Sequence, residues 1–211
     1  MNMDRQVEEY IFEHLGLENS VLAELFRYTN LNVLYPGMAS GHEQGRLLSM
    51  LSYMVNPELI LEIGTFTGYS TICLAEGMKA DGLLHTIEKD DERAEIASVF
   101  FEKAGIADRV VLHIGDALEI IPKLGMVFDL VFIDAAKKQY LEYYHLVFNR
   151  VKPGGYILVD NILWYGKVAD RQVRDETTCQ LRRFNDFVRR DTRIERAIVQ
   201  NRDGLFILRK R

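Results

Sequence analysis

Residues 58–70 read ELILEIGTFTGYS. The first six, 58–63, are almost continuously apolar, as expected of a strand in a parallel sheet whose two faces are both covered by helices. Gly64 and Gly68 follow directly, four residues apart. Glycines there let the backbone turn sharply and approach a ligand with no Cβ in the way. Tyr69 and Ser70 then open a helical stretch at about 69–78. A strand, a glycine turn and a helix start, in that order, are the first unit of an α/β fold.

The same unit recurs downstream. Strand patterns fall at 82–88, 109–114, 127–134 and 155–160, with helical stretches at about 90–104, 116–124 and 138–150 between them. Regular alternation of this kind predicts a doubly wound, mostly parallel sheet. A polar helix runs from after Arg174 to about Arg190, and two more strand patterns at 193–199 and 204–209 flank Asp203-Gly204, which reads as a hairpin turn. The expectation is a seven-stranded sheet with a C-terminal antiparallel hairpin. Upstream, Leu47, Leu48, Met50, Leu51, Met54 and Val55 follow the spacing of an amphipathic helix over 41–55. The chain reads as one domain, 1–211, with an N-terminal helical cap (1–56) on an α/β core (57–211).

Composition bounds the function class. Nearly half of the 211 residues are hydrophobic, enough for a sizeable core and against disorder. Asp4, Arg5, Glu8, Glu9, Glu13 and Glu18 interrupt the first twenty residues, so no signal-peptide stretch is expected, and no run approaches a membrane span. Cys73 and Cys179 form no metal or redox motif and read as core thiols in a reducing compartment. A cytoplasmic protein is expected. The net charge of −5 is uneven: residues 167–211 hold thirteen Lys/Arg against seven Asp/Glu. This is either a solvated Arg-rich helix face or a hint of an anionic ligand.

Ligands of open α/β sheets bind beyond the carboxyl ends of the strands, so the residues that end each strand carry the functional reading. After the first strand the G-x-G-x-x-G dinucleotide fingerprint is absent, and Thr65, Phe66 and Thr67 fill the gap, with no tight pyrophosphate turn. The second strand ends in Glu88, about twenty residues on, where a carboxylate can accept from both hydroxyls of a ribose. The third is followed by Gly115-Asp116-Ala117, where Asp116 can cap a helix or accept from an adenine amino group. A nucleoside site without a pyrophosphate loop favours S-adenosylmethionine over NAD.

The fourth strand ends in Asp134 and the fifth in Asp160-Asn161. If these strands are neighbours, two carboxylates and an amide converge at one rim, an oxygen-only set suited to Mg²⁺, then Mn²⁺ or Ca²⁺. A cation there lowers the pKa of a phenol, ordinarily ~10, and two vicinal hydroxyls can chelate it. Lys137, one turn after Asp134, is placed to take the proton if the metal lowers its pKa.

Together these segments resemble the metal-dependent O-methyltransferases of the caffeoyl-CoA and catechol type. The resemblance is carried by LEIGTFTGYS (61–70), TIEKD (86–90), FEKAGIADRVVLHIGDALEIIPKL (101–124), FDLVFIDAAKKQY (128–140) and VKPGGYILVDNILWYGKVAD (151–170), with Arg183-Phe184-Asn185 and Asp203-Gly204-Leu205 extending it. It implies a class I, Rossmann-like methyltransferase fold, with Asp134, Asp160 and Asn161 as metal ligands and Lys137, beside Asp134, as the catalytic lysine. It implies cofactor contacts from Met38, Ser40, Glu62, Gly64, Tyr69, Ser70, Glu88, Asp116, Ala117 and Asp134, an aromatic substrate wall from Trp164, and a homodimer, for which Val21, Leu22, Leu25 and Phe26 offer apolar surface. Animal catechol enzymes carry a glutamate where this chain has Ala197, so the plant and bacterial branch fits better. The acceptor implied is a phenolic small molecule; within the same branch, 5-hydroxyuridine in tRNA is the alternative.

Overall fold

The computed structural model describes residues 3–211. Three helices lead the chain: α1 (Met3–His14), α2 (Ser20–Asn32) and α3 (Gly41–Val55). The sheet then alternates with helices: β1 (Leu59–Ile63), α4 (Tyr69–Glu76), β2 (Leu83–Glu88), α5 (Asp91–Lys103), β3 (Val110–Ile114), α6 (Ala117–Ile120), β4 (Phe128–Ile133), α7 (Tyr140–Phe148) and β5 (Val151–Val159). It closes with α8 (Glu176–Arg190), β6 (Ile194–Val199) and β7 (Leu205–Lys210). The strand order is β3-β2-β1-β4-β5-β7-β6. All pairings are parallel except those of β7, which runs antiparallel to β5 and β6. This is the expected seven-stranded sheet with a terminal hairpin.

Side chains alternate across the strands and so build two cores. Leu61, Ile63, Val131, Ile133, Ile157 and Val159 pack with α7 and α8 on one face. Ile60, Leu84, Leu130, Phe132 and Leu158 pack with α2, α3, α4 and α5 on the other. Burial on both faces is why these strands are apolar throughout.

Three boundaries depart from the sequence reading. The helix expected at 116–124 is a single turn, α6, followed by a 3₁₀ turn at Ile121–Lys123, because Pro122 has no N–H for an α-helical bond. β5 starts at Val151 rather than 155, and a register shift opposite Phe128–Leu130 absorbs Pro153 and the two glycines after it. The hairpin is joined by a five-residue loop, 200–204, with Arg202 and Gly204 both at positive φ, rather than by a two-residue Asp-Gly turn. Among the described residues, no helix is long and apolar enough to cross a membrane.

Candidate active site

β1 and β4 lie side by side while their connections leave in opposite directions, which opens a crevice above their carboxyl ends. A cleft of about 830 Å³ occupies it. The parallel ladder sets the depth of each strand-end residue. Asp134 N–H donates to the Ile63 carbonyl at 2.9 Å and Asp160 N–H to the Ile133 carbonyl at 3.0 Å, so the two carboxylates stand on adjacent strands at the same level. Gly64, at φ +101°, is where β1 turns away. A Cβ there would lie 2.1 Å from the Asp134 carbonyl oxygen, so the turn can only be glycine.

On the β1–β3 side the cleft is lined by Met38, Ser40, Gly64, Tyr69, Ser70, Glu88, Asp116 and Ala117, which the sequence reading grouped as cofactor contacts. The buried Glu88 carboxylate accepts from Phe66 N–H at 2.7 Å and from Lys89 and Asp90 N–H at 3.0 Å each. Three backbone donors fix it at the rim. Asp116 caps α6 through Leu118 N–H at 2.9 Å and pairs with Lys89 at 3.0 Å. The Lys89 ammonium and the Leu118 amide hold its carboxyl below the usual range. Glu62 is placed differently. Fully buried beneath the cleft, it does not line it and instead accepts from the hydroxyls of Ser70 (2.6 Å), Thr71 and Thr86 (2.6 Å). Burial pushes its carboxyl up to about 7 even though all three hydroxyls favour the charged form.

On the β4–β5 side stand Asp134, Lys137, Asp160, Asn161 and Trp164. Asp160 is buried, and burial together with the Asp134 charge pushes its carboxyl up to about 7. Gln44 Nε2 donates to its Oδ2 at 2.6 Å. Asn161 holds a left-handed φ of 55° that turns the chain at the rim. Lys137 Nζ donates to Asp134 Oδ1 at 2.5 Å. Burial opposes its charge, but Tyr140 and Asp134 outweigh burial and raise the ammonium above the ordinary lysine value. The lowering expected of Lys137 is the work of an adjacent metal; the protein's own groups, Tyr140 first and then Asp134, act in the opposite direction. Trp164 both lines the cleft and packs partly buried on the core, with Tyr165 tilted against it at 5.4 Å.

The O-methyltransferase family model matches residues 12–211. The chain belongs to that O-methyltransferase family. It is 33% identical to a catechol O-methyltransferase of Niastella koreensis over 200 residues, 92% of this chain and 89% of the relative. It is 34% identical to a caffeoyl-CoA O-methyltransferase of Populus kitakamiensis over 217 residues, 97% and 90% of the two chains. Among solved structures, the O-methyltransferase TomG from Streptomyces achromogenes in complex with SAM superposes with a TM-score of 0.92 at 32% identity, covering 100% of this chain and 99% of that one.

Several features of this O-methyltransferase escaped the sequence reading or correct it. Arg202, on the hairpin loop, lines the cleft and donates through Nη1 to the Ala39 (3.1 Å) and Ser40 carbonyls and to Gln44 Oε1 (3.2 Å). Asp203 next to it accepts from Tyr165 N–H at 2.5 Å. One loop thereby fastens both the 39–44 segment and the aromatic segment after Asn161. Arg182, one of the basic residues of the 167–211 stretch, is spent on backbone carbonyls: Val168 (3.0 Å), Val173 (2.7 Å), Lys167 (2.7 Å) and Asp170. Cys179 is exposed, not a core thiol, while Cys73 is buried as expected. Leu22 and Leu25 are buried within this chain rather than left as interface. Phe26, of the same expected set, is exposed, and further exposed apolar residues nearby include Leu31, Leu34, Tyr35, Met50, Tyr53 and Met54.

Proposed function

We propose that this chain transfers the methyl group of S-adenosylmethionine to one hydroxyl of a vicinal dihydroxy aromatic small molecule of the catechol or caffeoyl type. A divalent cation, Mg²⁺ or else Mn²⁺ or Ca²⁺, would be held by Asp134, Asp160 and Asn161. The observation that carries this reading is the level placement of Asp134 and Asp160 on neighbouring strand ends, in the cleft wall facing Glu88 and Asp116. The donor set fits a hard dication: all three donors are oxygens, and burial, with the neighbouring Asp134 charge adding to it, raises the Asp160 carboxyl, so a cation there would relieve two crowded carboxylates. The catechol and caffeoyl-CoA names of the relatives support the acceptor class, and the SAM complex of TomG supports the cofactor.

When bound, the cation would lower the pKa of a coordinated phenol from ~10. The protein supplies the rest. Glu88 takes the ribose hydroxyls, Asp116 faces the base, and Gly64, Tyr69 and Ser70 pass beneath the nucleoside, with Glu62 bracing Ser70 from below. Met38 and Ser40 cover it. Trp164 walls the aromatic acceptor. Lys137 Nζ, beside Asp134 at the rim, would take the proton of the acceptor hydroxyl as its oxygen attacks the methyl carbon and the sulfur leaves, with its pKa lowered for this by the adjacent cation.

The enzyme works in the cytoplasm, where Cys73 and Cys179 stay reduced, and as a homodimer through the exposed apolar residues of α2, α3 and their connection. Labelled S-adenosylmethionine with a panel of diphenols, with and without EDTA, tests the reading. Transfer to diphenols that stops with chelator and returns with Mg²⁺ or Mn²⁺, with monophenols poor, is expected. Full activity in excess EDTA would refute it.

A further inference from the structure

Beneath the rim, a chain of three side chains from distant parts of the sequence ends on Asp160. Arg202 Nη1 faces Gln44 Oε1 at 3.2 Å, and Gln44 Nε2 faces Asp160 Oδ2 at 2.6 Å. Gln44 is only 2% exposed and belongs to α3, Arg202 to the hairpin loop and Asp160 to the end of β5. A buried primary amide can present either its oxygen or its NH₂ to a given neighbour. Here the choice is forced from outside. A guanidinium has only donors, so it takes the amide oxygen and leaves the NH₂ for the carboxylate.

From this geometry we infer that Gln44 is a positioning residue for Asp160, and that Arg202 sets the direction in which Gln44 acts. The donated bond occupies Oδ2 and fixes the carboxylate rotation, which reserves Oδ1 for the cleft. Without Arg202 the amide is free to turn and offer its own oxygen to Asp160, replacing an attractive contact by a repulsive one. The inference rests on the proposed role of Asp160 as a cation ligand. Groups that orient a ligating carboxylate typically contribute about 10- to 100-fold to metal affinity.

The test is Mn²⁺ binding to the full chain, followed by calorimetry, with S-adenosylmethionine affinity measured in parallel. Gln44→Met keeps the buried volume close and removes the donor. It is expected to weaken Mn²⁺ about 10- to 100-fold and leave cofactor affinity near that of the wild type. Arg202→Asn, on an exposed loop at a φ of 48° that asparagine tolerates, is expected to weaken Mn²⁺ in the same direction but less. The double variant should be no worse than Gln44→Met alone, since both changes act through one amide. Wild-type Mn²⁺ affinity in both single variants would overturn the inference while leaving the metal site standing. Additive losses would overturn the Arg202 part. No Mn²⁺ binding to the wild type would overturn the metal reading and this inference with it.

Discussion

Nζ of Lys137 lies 2.5 Å from Oδ1 of Asp134, three residues back, and both side chains are 16% exposed in the wall of the cleft. The pairing places the lysine at the rim beside the proposed acceptor oxygen. Lys137→Met should therefore lower kcat by about 10²–10⁴-fold, the cost of losing a positioned general base. Steady-state kinetics beside calorimetry would separate this from binding, because S-adenosylmethionine affinity should change little. An unaltered kcat would remove Lys137 from the mechanism.

The Asp160 carboxyl gives a pH prediction. Its folded value, about 7, lies above the ordinary 3.8. Between those values the native state holds a proton that the unfolded chain has released, so this group's contribution to stability falls as pH rises from about 4 to 7. Glu62, raised to about 7 by burial, acts in the same sense. Mn²⁺ must displace the Asp160 proton, so its affinity should rise with pH by up to about tenfold per unit below 7 and level off above. Titrating Mn²⁺ across pH 5.5–8 in the wild type and in Asp160→Asn, which should bind weakly at every pH, checks it; a flat wild-type profile would contradict it.

Glu88 should govern the cofactor. Glu88→Ala removes the proposed acceptor of two ribose hydroxyls and also frees the Phe66 amide. At ~1.5–3 kcal/mol for each bond to a charged group, the loss is about 3–6 kcal/mol of S-adenosylmethionine affinity. Unchanged calorimetric affinity would displace Glu88 from this role.

Arg182 should matter for stability and not for nucleic acid. Its guanidinium joins carbonyls of residues 167, 168, 170 and 173, a fork that lysine cannot reproduce. Arg182→Lys and Arg182→Ala are both expected to lower Tm, by about 4–8 °C for a loss of roughly 2 kcal/mol. If tRNA were the acceptor, its binding would weaken steeply with salt and Arg182→Ala would flatten that dependence. We expect no such effect, and filter binding across salt concentrations would reveal one.

The exposed apolar surface predicts assembly. Leu34 and Met54 are each 78% exposed. The pair Leu34→Asp and Met54→Asp should convert a dimer to a monomer in light scattering at micromolar concentration. A wild-type monomer would count against the proposed dimer.

The strands and their terminal residues were legible because a strand buried on both faces advertises itself, and because its last residue must face the ligand crevice. Asp134, Asp160 and Glu88 were found by that rule alone. Gln44 and Arg202 were not, since residues 158 apart in sequence reveal no partnership until the hairpin folds back over α3. Glu62, a contact implied only by the resemblance, precedes the turn by two residues, and its carboxylate is taken up beneath the cleft by hydroxyls such as Ser70. Arg182 shows the limit of charge counting, because an arginine near a functional rim can be wholly occupied by its own loop.

Gly64 carries a consequence for how the enzyme tolerates change. Its missing side chain lets the β1 turn rest directly on the Asp134 carbonyl, so the floor of the proposed nucleoside subsite and the base of the Asp134 carboxylate meet through backbone. On the proposed mechanism, the spacing between the two sides of the cleft is then set by main chain at this join, out of reach of side-chain repacking. Saturation mutagenesis at this position should return glycine alone among active clones. A methyl group there would push Asp134 off station by an amount on the order of 1 Å, enough to cost about 10²-fold in rate. Laboratory evolution toward new acceptors will therefore find its freedom around Trp164 and the hairpin loop, and none at the join between the two subsites.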